Sequence, residues 1–265
     1  MPEGHTVHRL ARDLARDLGV NAVTASSPQQ RFAAGADLLD GQVATRCRAY
    51  GKHLFVDFEA GDTLHIHLGL IGKFRRTAPD APRDTVRLRL AVDHIAWDLT
   101  GPMTCTVGGP DTFTDVTTTL GPDPLRRDGR LPDFSERVAT RRVPIGAALL
   151  DQRVVAGIGN VYRAELLFLV GIHPSVPSLM LADAEVNDLW NVATDQLRRG
   201  VRLNRIVTVD PADVGASSVG RIGADDRLHV YKRAGEPCRR CGAPIERFVL
   251  AGRKTWFCPT CQPPP

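Results

Sequence analysis

The sequence predicts an α+β protein of several domains: an amino-terminal helix feeding a β-sandwich, then a helical domain, then a β-hairpin closed by a metal. Three observations carry that prediction. Residues 7–18 repeat apolar side chains at helical spacing, residues 20–116 break into short alternating runs, and the carboxy-terminal stretch holds four cysteines in two pairs. At 265 residues, 43% of them hydrophobic, the chain is long enough for two cores.

In the first helix Val7, Leu10, Ala11, Leu14, Ala15 and Leu18 fall on one side, with arginines and aspartates opposite. Strand-like runs follow at 43–50, 53–58, 63–68, 86–92 and 95–99, parted by turn signals at Gly51, Gly61-Asp62 and Gly101-Pro102. Regular short strands so punctuated predict a sandwich or barrel. The charged, turn-rich run from Gly121-Pro122-Asp123-Pro124 to Pro132 predicts a domain boundary. Beyond it, 145–151, 161–170 and 183–200 predict helices, the second stopped by Gly171 with Pro174 soon after. Residues 208–227 are small and turn-forming without periodicity and predict a mobile loop. The resulting division is 1–120, 121–227 and 228–265.

Cys238 and Cys241 enclose two residues, as do Cys258 and Cys261, and sixteen residues separate the pairs. Each pair bends its backbone so that two sulfurs reach one tetrahedral ion. The insert predicts a hairpin that returns the second pair: residues 245–250 strand-like, a turn at Ala251-Gly252, and 255–257 leading back. Two disulfides are the alternative. With no signal peptide, a reducing compartment and intact thiols are expected. Four protein sulfurs leave no open position, so a single zinc ion per chain would be structural. Cys47 and Cys105, outside the cluster, are expected as buried thiols.

Net charge is only +4, yet it is uneven. From Arg198 onward there are thirteen lysines and arginines against six acids, a surplus of +7, leaving −3 on the first 197 residues. An arginine-rich module of this kind suits a polyanion, whose condensed counterions it releases; a merely solvated charged face is the alternative. No apolar run approaches the length of a membrane span.

Two short motifs bear on chemistry. In Ala156-Gly157-Ile158-Gly159-Asn160 the glycines let backbone amides approach a ligand, Asn160 adds a donor and a helix end follows, which together suit phosphate. Gly-x-Gly also occurs at ordinary helix connections. At the other end, removal of Met1 would expose Pro2 as a secondary amine. A free α-amino group, with a pKa of about 8, is partly nucleophilic near neutral pH. Glu3 beside it could shuttle protons. Met-Pro-Glu alone would be a trivial tripeptide; its company gives it weight.

That company resembles the formamidopyrimidine-DNA glycosylase and endonuclease VIII family. The likeness spans Pro2-Glu3-Gly4, Gly51-Lys52, His67-Leu68-Gly69-Leu70, Leu120-Gly121-Pro122-Asp123-Pro124-Leu125 and Leu149-Leu150-Asp151-Gln152. It continues through Ala156 to Asn160, Val230-Tyr231 and Gly235-Glu236-Pro237-Cys238. The resemblance implies a helix and β-sandwich carrying the nucleophile, a helix-two-turns-helix domain and a zinc finger. It implies Pro2 as Schiff-base nucleophile, Glu3 as acid/base and Lys52 as proton donor in β-elimination. Asn160 would bind phosphate, and Arg253 would bind phosphates and assist δ-elimination. Leu70 would wedge into the base stack. One amine, one carboxylate and three donors suit a strongly anionic strand.

The chain departs from the family pattern in three places. His5-Thr6 stands where Pro-Glu is usual, so an accessory carboxylate is missing at Thr6. Gly69 stands where endonuclease VIII relatives carry glutamine, and Thr119 where some relatives have a DNA-contacting arginine. His65 and His67 share a strand face, but no third ligand is spaced along the sequence to join them, so satisfaction by neighbours is expected.

The expected protein is therefore a base-excision repair glycosylase and abasic-site lyase acting on oxidised pyrimidines, with oxidised purines as the alternative. Damaged DNA is the expected partner, with no membrane, no small-molecule cofactor, a monomeric state and a bacterial cytoplasmic, nucleoid-associated location. A non-catalytic zinc-finger DNA-binding protein and a zinc ribbon serving protein assembly are the rivals from other classes.

Overall fold

The chain opens with α1 (Gly4–Leu18), β1 (Thr24–Ser26) and α2 (Ala33–Leu39). Next come β2 (Ala44–Tyr50), β3 (His53–Phe58), β4 (Thr63–His67), β5 (Lys73–Thr77), β6 (Leu88–Val92), β7 (Ile95–Thr100), β8 (Thr104–Gly108) and α3 (Thr112–Thr117). The computed structural model describes residues 2–265. It divides into two compact units, Met1–Thr119 and Leu120–Pro265.

In the first unit two antiparallel four-stranded sheets, ordered β1-β6-β7-β5 and β2-β3-β4-β8, share one core. Leu54 and Val56 of β3, Leu64 and Ile66 of β4, and Leu88, Leu90 and Leu99 of the other sheet meet there, with Val7, Ala11, Leu14 and Leu18 of α1 packed onto them. Ala15, expected on that stripe, is exposed. Burying the α1 stripe fixes the helix, and with it the position of residues 2 and 3 ahead of it. Pairing of Tyr50 with His53 leaves Gly51-Lys52 as a two-residue turn, with Gly51 at φ +56°, where glycine relieves the clash a Cβ would meet.

The strands that the sequence did not disclose are β1, β5 and β8, and all three are sheet edges. An edge strand needs few apolar residues; in β5 only Phe74 is buried. Phe55 on β3 is fully buried yet faces away from the shared core, because Phe113 of α3 lies edge-on against it at 5.0 Å.

The second unit contains α4 (Leu131–Ala139), α5 (Ile145–Ala148), α6 (Asn160–Val170), α7 (Asp183–Leu203), β9 (Glu246–Leu250) and β10 (Arg253–Phe257). Helix α4 was hidden in sequence because Pro132 reads as a breaker. It sits in the first turn, where its missing N–H is harmless. Helix α6 is apolar nearly all round and forms the unit's centre: Tyr162, Leu166 and Leu167 pack with Phe134, Leu189 and Trp190, while Ala164 and Phe168 pack with Ile245, Trp256 and the finger cysteines. It ends at Gly171, φ +76°, as expected for a left-handed cap. The 208–227 segment holds two single 3₁₀ turns, and its base is pinned: the Thr208 N–H donates to the Arg227 carbonyl at 2.8 Å, and Val207, Val209 and Ile222 are buried.

Candidate active site and metal centre

In the first unit Glu3 precedes α1 in an extended conformation, and its carbonyl accepts the N–H groups of Thr6 and Val7 at 2.9 and 3.4 Å. Its side chain is 0% exposed, while Pro2 is half-buried. A carboxylate at a helix amino terminus is favoured by the helix dipole. His5 is buried as well, and burial lowers its pKa to about 3, so it stands neutral beside Glu3.

Lys52 caps the β2–β3 turn. Burial, then the charges of His67, His65 and Lys52, hold His53 down at about 3; burial and then Lys52 lower His67. His67 accepts the Gly69 N–H on Nδ1 at 3.2 Å, so its proton sits on Nε2. The sheet register places His53 opposite His67, and His53 Nδ1 hydrogen-bonds His65 Nε2 at 2.9 Å. The strand pair therefore supplies the third histidine that linear spacing did not. Its partners are rings: Phe55 stacks on His65 at 4.9 Å.

Leu70, on the loop after β4, is 60% exposed, with Ile71 77% and Met103 68% exposed. These belong to one knob: a Cβ on Gly69, at φ +65°, would come 3.0 Å from the Met103 Cβ, and Met103 N–H donates to the His67 carbonyl at 2.8 Å. The sequence pointed to Leu70 but not to Met103, which lies more than thirty positions away and joins the knob only through folding.

In the second unit Asn160 is the first residue of α6. Gly157 at φ +95° and Gln152, which accepts the Gly157 N–H and donates to the Leu150 and Ile158 carbonyls, shape the loop before it. Asn160 Nδ2 donates to the Lys254 carbonyl of β10 at 3.1 Å, and its Oδ1 accepts from Arg163 at 2.6 Å. Arg163, fully buried, also donates to the Lys254, Gly146 and Leu250 carbonyls. Helix and hairpin are thus tied by Asn160 and Arg163 directly beside Arg253, which is exposed at the start of β10. The turn that presents it has Ala251 at φ +50° and Gly252 at φ +72°, the two left-handed residues of a tight hairpin.

Arg163 and Glu165 were both missed from sequence. Glu165 is a buried carboxylate on the otherwise apolar α6; it accepts the N–H groups of His229, Val230 and Tyr231 at 2.7, 2.9 and 2.8 Å and the Thr208 hydroxyl. It fixes both the base of the 208–227 loop and the approach to the finger. The signal for each was a charge inside an apolar helix, which has to be paired when buried.

The four cysteine sulfurs lie within 4.8 Å of one another, with Cys238–Cys261 at 3.9 Å and Cys241–Cys258 at 3.5 Å. Sulfurs about 2.3 Å from a tetrahedral zinc stand roughly 3.8 Å apart, so the group fits one zinc ion. Backbone N–H groups of Arg240 and Cys261 point at cysteine sulfurs, and Gln262 links the Cys258 N–H to the Ile172 carbonyl. Among the described residues this is the one group with metal-holding spacing. Cys47 and Cys105 are half-buried free thiols, pushed up to about 12 chiefly by desolvation.

Family models match in the same order along the chain: the formamidopyrimidine-DNA glycosylase N-terminal domain over residues 1–107, its H2TH domain over 120–211, and the zinc finger found in FPG and IleRS over 235–264. The chain belongs to the formamidopyrimidine-DNA glycosylase and endonuclease VIII family. It is 42% identical to "Endonuclease 8 1" of Mycobacterium tuberculosis over 99% of this chain and all of that one, and 33% identical to a formamidopyrimidine-DNA glycosylase of Herpetosiphon aurantiacus over 99% and 98%. A Lactococcus lactis relative solved with DNA containing an oxidised pyrimidine superposes with a TM-score of 0.83 at 26% identity, covering 99% of this chain and all of that one. The same enzyme with abasic-site DNA gives 0.82 at 27% over the same shares. The family's finger carries one structural zinc, and the cysteine geometry meets its requirement. Among the described residues no helix is long and apolar enough to cross a membrane.

Proposed function

We propose that this base-excision repair enzyme removes oxidised pyrimidines and then nicks the strand through a Schiff base formed by Pro2. The observation that carries the reading is the fully buried Glu3 carboxylate directly after a half-buried Pro2 at the head of α1. With Met1 removed, the Pro2 nitrogen attacks C1′ of the damaged nucleotide, and the base departs with the bonding pair and a proton. Glu3 protonates O4′ as the sugar ring opens, leaving an iminium ion that needs no proton to stay cationic. That cation acidifies C2′; the Glu3 carboxylate, freed of the proton it gave to O4′, takes the C2′ proton, the C3′–O bond breaks, and Lys52 protonates the departing 3′ phosphate.

Arg253 binds the phosphates beside the lesion and assists the second elimination, and Leu70 fills the stack once the base is extruded. Asn160 acts as a phosphate donor through the N–H that its Lys254 bond leaves over. The preference for pyrimidines rests on the 42% identity to a protein named Endonuclease 8; several relatives near 33% bear the formamidopyrimidine name, and oxidised purines are the competing substrate class. The enzyme works as a monomer in the bacterial cytoplasm, with no small-molecule cofactor.

Borohydride trapping tests the chemistry. Processed protein mixed with abasic or oxidised-base duplex is expected to give a covalent adduct that vanishes when Met1 is retained or when the amino terminus is blocked. An adduct that survives both changes would rule out Pro2. A panel of duplexes with one defined lesion each then separates the substrate classes, and faster excision of oxidised purines would overturn the pyrimidine preference.

A further inference from the structure

The zinc finger has a second cationic surface that the family roles above do not use. Residues alternate across the β9–β10 hairpin, so Lys254 and Trp256 point to the face opposite Arg253. Register pairs Lys254 with Val249 and Trp256 with Arg247, which brings Arg247 to that same face. There a cavity of about 720 Å³ is lined by Lys232, Ala234, Gly235, Arg247, Lys254 and Trp256. Three of the six lining residues are cations and none is an acid.

The neighbouring arginines are already engaged. Arg233 pairs with Glu236, Arg239 pairs with Asp226, and Arg240 lies over the Phe168 ring and donates to the Phe168 and Leu169 carbonyls. Among the described residues no ion pair involves Lys232, Arg247 or Lys254. Trp256 is nearly buried and set edge-on to Tyr231 at 4.7 Å, giving the cations an apolar floor on which charge is screened less than in open water.

Lys232 adds a separate observation. Its φ is +63°, the left-handed region that favours glycine, and its Nζ lies 5.8 Å from the Tyr231 ring. A strained backbone position occupied by a long cation is the reverse of what stability alone selects. Charge, cavity and strain converge on one spot.

We propose that Lys232, Arg247 and Lys254 form an anion site on the reverse face of the finger hairpin that seats one further phosphate of the DNA backbone. The proposal rests on the reading of this chain as a DNA-binding repair enzyme. A phosphodiester suits the site: its two charged oxygens take the cations, and the sugar beside it lies on Trp256. Arg253 and this site would then hold the strand from the two faces of one rigid hairpin.

The test is equilibrium binding of the zinc-loaded protein to a duplex with a stable abasic analogue, across a range of potassium chloride concentrations. Variants are Lys254→Gln, Lys254→Arg and Lys232→Gly. Each neutralised phosphate contributes about 0.9 to the slope of log K against log salt. Lys254→Gln and Lys232→Gly are expected to lower the slope by up to that amount and Lys254→Arg to preserve it, with one zinc per chain throughout. Lys232→Gly should also raise Tm, because it relieves the left-handed backbone while it weakens binding. An unchanged slope in both neutral variants, with salt-dependent binding by the wild type, overturns the site alone. A wild type without salt-dependent affinity for this duplex overturns the functional reading as well.

Discussion

The head of α1 and the tip of the β9–β10 hairpin each present a group with a proposed role beside a chain reversal or helix start, but different forces hold them. Glu3 is placed by burial: the α1 stripe of Val7, Ala11, Leu14 and Leu18 is locked into the core of a sandwich. Arg253 sits on a two-stranded hairpin, a structure with too little core to be stable alone, and four thiolates around a zinc supply what the core does not. In the proposed function the chemistry thus depends on hydrophobic packing and the grip on a metal. Each should fail independently of the other.

The sharpest test of that separation is Glu3→Gln. Removing the acid/base is expected to slow single-turnover base excision by about 10²- to 10⁴-fold while zinc content and affinity for an abasic-analogue duplex hold. Excision within tenfold of wild type would end the assignment. The converse is Cys258→Ser or chelation, which should weaken DNA affinity by on the order of a hundredfold as the finger's phosphate contacts are lost. Borohydride adduct formation at saturating DNA should persist; undiminished affinity in the metal-free protein would break the comparison.

A third experiment acts where the two supports meet within the second unit. Glu165→Gln keeps the volume but removes the charge from a carboxylate that accepts three backbone N–H groups, and is expected to cost about 2–3 kcal/mol in denaturant titration. A loss below about 0.5 kcal/mol would mean that the finger base does not depend on it.

Acid should act on the first unit. His5, His53 and His65 have folded pKa values near 3, 3 and 4 against an ordinary value of 6.5, so the unfolded chain binds more protons between those limits. Their contribution is complete above about pH 6.5 and is lost as the pH falls toward 4. Thermal melts of His53→Phe should show a weaker pH dependence than wild type across that window; an identical dependence would remove the cluster from the account. The smallest expected stability effect is at Leu70. An exposed side chain changed to alanine should alter stability by no more than about 0.5 kcal/mol, yet slow extrusion of the base, read by fluorescence of a 2-aminopurine beside the lesion. Unchanged extrusion would remove Leu70 as the wedge.

Legibility in the sequence followed the range of the interactions. Strands β2, β3, β4, β6 and β7 and helices α1, α6 and α7 were readable because each repeats apolar residues over a continuous stretch. The edge strands β1, β5 and β8 were not, since an edge takes its order from its neighbour. The mobile loop expected over 208–227 is tethered by a bond between its two ends and by Glu165, more than forty positions earlier in the chain.

What the sequence determined alone was proximity set by close spacing: the paired cysteines, Pro2 beside Glu3, and the glycines around Asn160. A few residues of backbone suffice to bring such groups together, so order along the chain is nearly order in space. Tertiary structure decided what distant segments share. It set Arg163 among the carbonyls of α5 and the hairpin, brought His53 to His65 and His67, joined Met103 to the Leu70 loop, and gathered Lys232 with Arg247 and Lys254. Those groupings depend on sheet register and on the burial of charge, and neither leaves a period in the sequence.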